Sequence, residues 1–502
     1  MAEFYPLSRR AFLGSLASLA PAAMAWGVQN IPFSRQVVLE EARRLAASPF
    51  AAPPQVPDAL STLDYDVYRQ IQFRRDAAVW GQAPTKFAVE FFVPGYLYDT
   101  PVEIFIVESG EARPVKAERD AFVTPSEPIA QALDQIASLA GFRLHFPLNY
   151  GEREEFLVFQ GASYFRAVSR GQLYGLSARG LALDVAEPGG EEFPMFRRFW
   201  IERPSTRSDS IVVHALLDSE SVAGAYRFGI YPGQPTAIEI SATLFPRRAL
   251  THVGLGCLTS MFLHGPADPS AAPDYRPHVH DSLGLAMATG QGERIWRPVT
   301  NPRSLQVSAF MDEDPRGFGL IQRRRDFADF QDLEARYERR PSAWVVPAGR
   351  WGRGHIQLVE IPTPLETNDN IVAYWRPERA LPPGEPARFG YTLTWPDDVA
   401  PGEGLARVER TARGQRIGAP RPQMKIDYDN PRRVPADALT IEASVSGGRL
   451  IETHVQDNAV TGGIRVFLTF EPGDVAFVEM RAALFHEGLP FGETWVHRWT
   501  AA

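Results

Sequence analysis

Phe87-Ala88-Val89-Glu90-Phe91-Phe92-Val93 reads as a short β-strand, dense in β-branched and aromatic residues. The signature recurs outward along the chain. Val102–Val107, Phe156–Phe159, Ile211–Leu217 and Ala237–Leu244 are further runs of this kind, separated by Gly, Pro, Asn or Asp. Helical periodicity is scarce. Ser34–Ser48 predicts one helix, with Val38, Ala42 and Leu45 on a shared face. Pro128–Leu139 predicts a second, aligning Ile129, Leu133 and Ile136. Many short strands with few helices predict a mainly β fold, a large β-sandwich rather than alternating βαβ units.

Pro377, Pro382, Pro383, Pro386 and Pro396 cluster and predict a domain boundary, placed between residues 390 and 391. Beyond it, Ala443–Val445, Gly447-Gly448 and Leu450–Val455 predict a hairpin, and Gly462-Gly463 a second turn. Thr494–Trp499 predicts a closing strand with Trp495 and His497 on one face. Size and strand count predict an immunoglobulin-like sandwich over residues 391–502, after a larger β-sandwich over 26–390.

The 502 residues carry 52 Lys and Arg against 60 Asp and Glu, a formal charge of −8. That balance argues against nucleic-acid binding through a general basic field. A hydrophobic fraction of 44% excludes disorder and collagen-like repeats as descriptions of the whole. Cys257 is the single cysteine, so no intramolecular disulfide can form and no cysteine-based metal site is expected. Leu255 and Leu258 beside it predict a packed thiol rather than a nucleophile.

The first residues read as an address. Ser8-Arg9-Arg10-Ala11-Phe12-Leu13-Gly14 is a twin-arginine pattern, followed by a weakly apolar stretch and the small-residue site Ala23-Met24-Ala25. Residues 1–25 are therefore expected to be a signal peptide for twin-arginine export to the periplasm. No later run approaches the roughly 18 apolar residues that a membrane-spanning helix needs, so no transmembrane segment is expected.

No P-loop, dinucleotide fingerprint, HExxH or GxSxG motif stands in a convincing context. His278 and His280 before Asp281 look like metal ligands, but no third ligand stands at helical spacing; neither metal nor organic cofactor is expected. Chemistry-bearing residues concentrate between 258 and 375. Aromatic faces there could cover the C–H face of a pyranose while carboxylates and guanidinium groups bond its hydroxyls. Glycosidic cleavage needs two carboxyl groups, one to protonate the leaving oxygen and one to activate water or attack. Core packing and surface solvation use the same residue types.

Several long segments carry a resemblance. They include Tyr68-Arg69-Gln70-Ile71-Gln72-Phe73, Gly161-Ala162-Ser163-Tyr164-Phe165-Arg166 and the run Tyr174–Ala182. Phe199–Pro204, Leu258-Thr259-Ser260-Met261-Phe262, Arg340-Pro341-Ser342-Ala343-Trp344 and Glu366–Trp375 complete the set. In these, from Tyr65 to Trp499, the chain resembles the osmoregulated periplasmic glucan biosynthesis proteins G and D of Gram-negative bacteria. The twin-arginine leader leans towards the D branch. The resemblance implies a cleft-bearing N-terminal β-sandwich, then an immunoglobulin-like domain. It implies β-1,2-glucan as the substrate and anomer-inverting hydrolysis, as in glycoside hydrolase family 186. Some relatives instead transfer the cleaved glucan to a sugar hydroxyl and close a ring through an α-1,6 linkage. A non-catalytic glucan-binding scaffold is the other alternative. The reading also leaves room for a homodimer and for contact with the inner-membrane glucan synthase.

Carried over by motif, the resemblance assigns the general acid to Asp369, the base-side carboxylate to Asp281 and a water-linking tyrosine to Tyr337. Tyr275, His280, Trp296, Arg297, Arg336, Trp344 and Glu366 are the expected substrate contacts. On pattern alone, a turn residue that caps backbone amides is the favoured reading of Asp369 and the alternative for Asp281. Tyr337 and the tryptophans, Trp351 among them, suit packing, and His280 suits a structural role as well as a contact. The acid must hold its proton near neutral pH, through burial or through Glu366 three residues away. The base must stay ionised, helped by His280 or Arg276. Inversion needs room for a water, a carboxyl separation of about 6.5–9.5 Å or more. The Arg-rich segment Met311–Asp332 is expected to form a loop that decides between hydrolysis and transfer.

Overall fold

The computed structural model describes residues 30–136, 139–269, 273–418 and 420–500, and the expected leader lies outside them. The predicted strands are present as Ala88–Phe92, Glu103–Glu108, Glu154–Gln160, Ile211–Asp218 and Thr236–Pro246. They belong to two facing sheets. A ten-stranded sheet orders Gln306–Glu313, Arg353–Glu360, Ile371–Pro377, Val253–Ser260, Ser177–Arg179, Tyr164–Ala167, Glu154–Gln160, Gly141–Phe146 and Ala88–Phe92, with Ala182–Leu183 off this path. A sixteen-stranded sheet runs through Met195–Glu202, Ile211–Asp218, Val222–Tyr231, Thr236–Pro246, Ala387–Trp395, Ala343–Pro347, Gly317–Ile321, Gly284–Ala288 and Arg294–Pro298.

Alternation decides which face is which. In the ten-stranded sheet Val89, Phe91, Phe142, Leu144, Leu157, Phe159 and Phe165 point inward, and they meet Val213, Phe228, Ile240, Leu393 and Trp395 of the other sheet. Each buried side chain of this size stabilises by about 1.5–3 kcal/mol. The intervening residues point out. Glu90 pairs with Arg143, Arg143 with Val158 and Val158 with Arg166, so register alone lays a polar row across the outer face.

Helix Arg35–Ala46 buries Val38 and Ala42 against Trp200, Leu216, Ala225 and Phe245 on the back of the sixteen-stranded sheet. The second helix is shorter than its periodicity, spanning Glu127–Leu133. Its expected end, Leu139, instead exchanges both backbone hydrogen bonds with Val102, at 2.7 and 3.2 Å, and so cannot continue a helix.

Strand Ala387–Trp395 runs unbroken through the 390/391 position, pairing with Thr236–Pro246 on one side and Ala343–Pro347 on the other. The elements of the smaller unit begin only at Val408–Gln415. With Pro422–Tyr428, Gly463–Glu471 and Arg449–Asn458, that strand forms a four-stranded sheet. Three strands face it: Leu439–Val445, Phe477–His486 and Thr494–Thr500. Met424, Ile426, Val466, Leu468, Val478 and Trp495 fill the space between. These three strands also continue the sixteen-stranded sheet, because Thr494 and Trp495 pair in parallel with Ile295 and Trp296.

Gly447-Gly448 is not a hairpin turn. Leu439–Val445 pairs with Phe477–His486, and Arg449–Asn458 pairs with Gly463–Glu471, so the chain crosses between sheets here. Gly448 has φ +70°, and a Cβ on it would lie 2.0 Å from the Glu471 carbonyl oxygen. Gly462-Gly463 does close a hairpin, with Asn458 opposite Gly463. Met311–Asp332 is not one loop either: strand Gln306–Glu313 ends inside it and Gly317–Ile321 follows, leaving the loop to begin at Gln322. Cys257 is buried beside Val359, Val372 and Tyr374, and burial pushes its thiol up to about 12. Among the described residues no helix is long and apolar enough to cross a membrane.

Candidate active site

Strand Val253–Ser260 and the two residues after it gather three segments at one end of the ten-stranded sheet. The Thr259 hydroxyl donates to Asp369 Oδ2 at 3.4 Å. The Asp281 N–H donates to the Met261 carbonyl at 2.8 Å. The Phe262 N–H donates to Asn370 Oδ1 at 2.8 Å, while Asn370 Nδ2 donates to the Phe262 and Ile361 carbonyls at 3.0 and 3.1 Å. The hydroxyls of Ser260 and Ser282 meet at 2.6 Å. Backbone capping in this loop thus falls to buried Asn370. That leaves the carboxyl of its neighbour Asp369 half-exposed, with Arg166 Nη2 at 3.7 Å.

Asp281 has different surroundings. It is 3% exposed and takes an ion pair from Arg340 Nη1 at 2.5 Å. Burial pushes its carboxyl above the ordinary carboxylate value; Arg340 opposes the rise and the negative charge of Asp369 adds to it. The countercharge is therefore Arg340 rather than His280 or Arg276. Arg276 is spent elsewhere, bonding Asp274 and, through Nη1, both Asp332 and Glu366 at 2.8 Å.

Tyr337 is buried in the single turn Tyr337–Arg339, and burial raises its hydroxyl above the usual range. Its hydroxyl donates to Glu366 Oε2 at 3.3 Å, so Glu366 faces Tyr337 and Arg276 rather than Asp369. The Arg340 guanidinium lies over the Tyr337 ring, 4.3 Å from its centroid. Asp281, Tyr337 and Arg340 thus form one packed unit, and Asp369 stands at its rim.

The expected sugar contacts separate on burial. Trp296 is 1% exposed in the core between the two units, with Arg323 stacked 3.6 Å from its ring. Arg297 is equally buried and pairs with Glu360 at 2.9 Å. His280 is fully buried, stacked on Phe262, accepting from Gln322 at 3.1 Å and bonded to His278 at 3.0 Å; burial holds its ring neutral. None of the three can touch a sugar in the cleft. Trp344 packs on the second core and Trp351 between Trp375 and Tyr391. Arg336 bonds Glu338 at 2.6 Å, and Tyr275 is exposed beside the Arg276 cluster.

A second group of aromatic and charged side chains lies elsewhere. Next to Arg166 the outer face of the ten-stranded sheet holds a hollow of about 550 Å³, lined by Phe92, Tyr98, Arg143, Glu155, Tyr164 and Tyr174. Phe92, Arg143 and Gln160 also line a neighbouring hollow of about 620 Å³ that reaches Tyr68, Arg69 and Phe73. The Tyr68 and Tyr98 rings are 5.7 Å apart, and the Tyr68 hydroxyl accepts from Gln160 at 3.0 Å. A larger hollow, about 1240 Å³, opens at the junction of the two units and contains none of these residues. Composition pointed to 258–375 and missed this wall. Its signal was present all the same: Tyr68, Tyr164, Arg166, Tyr174, Thr259 and Arg340 all stand inside the quoted motifs.

Residues 33–499 match the model of a protein family described as periplasmic glucan biosynthesis protein, MdoG. Glucans biosynthesis protein G 2 of Shewanella oneidensis is 49% identical over 471 residues, covering 94% of this chain and 89% of its own. Glucans biosynthesis protein G of Vibrio cholerae serotype O1 is 45% identical over 475 residues, covering 93% and 87%. Both carry G-type names, whereas the leaning towards the D branch rests on leader residues outside the described range. A solved α-galactosidase from Geobacillus stearothermophilus, in complex with raffinose, aligns at TM-score 0.24 and 12% identity over 44% of this chain and 30% of its own, too little to carry an argument.

Proposed function

This chain belongs to the periplasmic glucan biosynthesis family MdoG, and from that premise we propose that it is an anomer-inverting glycoside hydrolase of the periplasm acting on β-1,2-glucan. The observation that supports this most is the gathering of the two motif carboxyls at one rim, each beside its own guanidinium: Asp369 is partly exposed beside Arg166 on the cleft side, and Asp281 is buried against Arg340.

The glucan lies along the outer face of the ten-stranded sheet, its rings against Tyr68, Tyr98 and Tyr164 and its hydroxyls against Arg143, Glu155 and Arg166. Asp369, in its acid form, gives its proton to the departing glycosidic oxygen as the C1–O bond breaks. Water attacks C1 from the opposite face, forming the new C1–O bond with inverted configuration. The proton that water loses passes through the Tyr337 hydroxyl and an intervening hydroxyl to Asp281. For this the Tyr337 hydroxyl turns away from Glu366, which Arg276 retains. A glucose 6-hydroxyl in place of the water would give an α-1,6-closed ring by the same proton movements.

Incubation of the mature protein with linear β-1,2-glucan, followed by mass spectrometry, tests this reading. Shorter chains with reducing ends are expected. A product one water lighter and resistant to an exo-acting β-glucosidase would replace hydrolysis with cyclising transfer. Unchanged glucan that still binds would replace the enzyme with a scaffold.

A further inference from the structure

We infer that Arg340 is a positioning residue of this site: it supplies the countercharge that makes a buried carboxylate at Asp281 tenable and holds the Tyr337 ring in place. The inference rests on the reading of Asp281 as the base. One guanidinium serves both residues. Its Nη1 lies 2.5 Å from Asp281 Oδ1, its Cζ sits over the Tyr337 ring 4.3 Å from the centroid, and its Nε donates to the Ala335 carbonyl at 3.2 Å. The backbone of Arg340 is fixed as well. Its N–H donates to the Tyr337 carbonyl at 3.1 Å, and its own carbonyl accepts from Arg325.

Of the surrounding groups only Arg166 adds a further positive charge, and it acts on Asp281 more weakly than Arg340. Segment 278–280 offers His278 and His280, both held neutral by burial. The 366–370 loop offers only the acids Glu366 and Asp369. Segment 332–340 offers the acids Asp332, Glu334 and Glu338, with Arg336 bound to the last, and Arg339, which donates to the Gly171 carbonyl at 2.8 and 3.1 Å. Strand Tyr164–Ala167 offers Arg166, which stands against Asp369 and bonds the Ser177 hydroxyl at 2.6 Å. Segment Leu258–Phe262 carries no charge, and His264 beyond it faces Asp274 at 3.3 Å. Room for the Arg340 stem depends on Gly175, where a Cβ would lie 2.8 Å from Arg340 Cβ. A planar fork that pairs and stacks at once is a task that lysine performs only in part.

The test compares wild type, Arg340→Gln, Arg340→Lys and Gly175→Ala. The pH dependence of kcat on linear β-1,2-glucan is read beside a ¹³C NMR titration of labelled aspartate carboxyls, with Asp281→Asn assigning the resonance. In Arg340→Gln the acid limb of kcat and the Asp281 titration both move up by about one pH unit or more, while KM changes little. Arg340→Lys recovers most of that movement, and Gly175→Ala produces part of it if Arg340→Gln does not fold. A folded Arg340→Gln protein with an unmoved Asp281 titration overturns the inference. Should wild type leave the glucan uncut, the proposed function fails, and the NMR titration alone still decides the role of Arg340.

Discussion

Asp369 and Asp281 are the same side chain in opposite settings, and the difference lies in partners distant in sequence. Arg340 is 59 positions from Asp281 and Thr259 is 110 from Asp369. The motifs therefore gave the two carboxyls, whereas their electrostatics, with Arg340 in the place expected of His280 or Arg276, needed the fold. Asp369→Asn should lower kcat about 10²- to 10⁴-fold, the usual worth of a positioned general acid. It should leave the thermal midpoint nearly unchanged, because the side chain is half-exposed and makes one long hydrogen bond. Wild-type turnover by this variant would remove Asp369 from the mechanism. Tyr337→Phe keeps the buried ring under Arg340 and deletes only the 3.3 Å bond to Glu366. Its stability should fall by no more than about 1 kcal/mol while kcat drops; urea unfolding and initial rates separate the two effects.

At the scale of elements, alternation was legible and connectivity was not. The run Phe87–Val93 shows its strand by composition, and its neighbours show which face is core. Gly447-Gly448 signals a turn equally well whether the chain folds back or crosses to the facing sheet; only the partner of each strand, Phe477–His486 in one case and Gly463–Glu471 in the other, settles it. The loop carrying Asp369 depends on Asn370. Asn370→Ala would leave the Phe262 N–H and carbonyl without their partner and should cost about 1–3 kcal/mol in chemical denaturation. The histidine pair below Asp281 gives a pH signature. Burial lowers His278 from 6.5 to about 3, so the unfolded chain binds a proton that the folded protein refuses. Stability is full above pH 6.5 and falls as pH drops towards 3, by up to about 1.4 kcal/mol per pH unit for each such group. In urea titrations between pH 4 and 7, His278→Gln should show a shallower fall than wild type; an equal slope would show that His278 is not the source.

Across the whole molecule, the smaller unit underpins the segment that carries Tyr337 and Arg340. Gln322, Arg323 and Arg325 stand at its start. Gln322 bonds the His280 carbonyl at 3.0 Å, Arg323 reaches Glu493 at 2.6 and 2.8 Å, and Arg325 bonds the Glu338 carbonyl at 3.1 Å. The Arg323–Glu493 pair is almost entirely buried, at 0% and 3% side-chain exposure. Glu493→Ala should therefore cost about 3–5 kcal/mol, read as a lower midpoint of thermal unfolding, because it strands a buried guanidinium. A midpoint equal to wild type would show that the junction does not depend on the pair. The proline cluster drew attention to this junction, but a sheet shared by both units is a long-range pairing that no local pattern announces.

The measurement that bears most directly on the proposed chemistry is ¹H NMR of the anomeric protons during the first turnovers on linear β-1,2-glucan. Inverting hydrolysis through Asp369 and Asp281 predicts that the α-anomer of the new reducing end appears first and then mutarotates, and that Asp369→Asn yields no such signal. First appearance of the β-anomer, or an α-anomer signal of wild-type strength from Asp369→Asn, would contradict it.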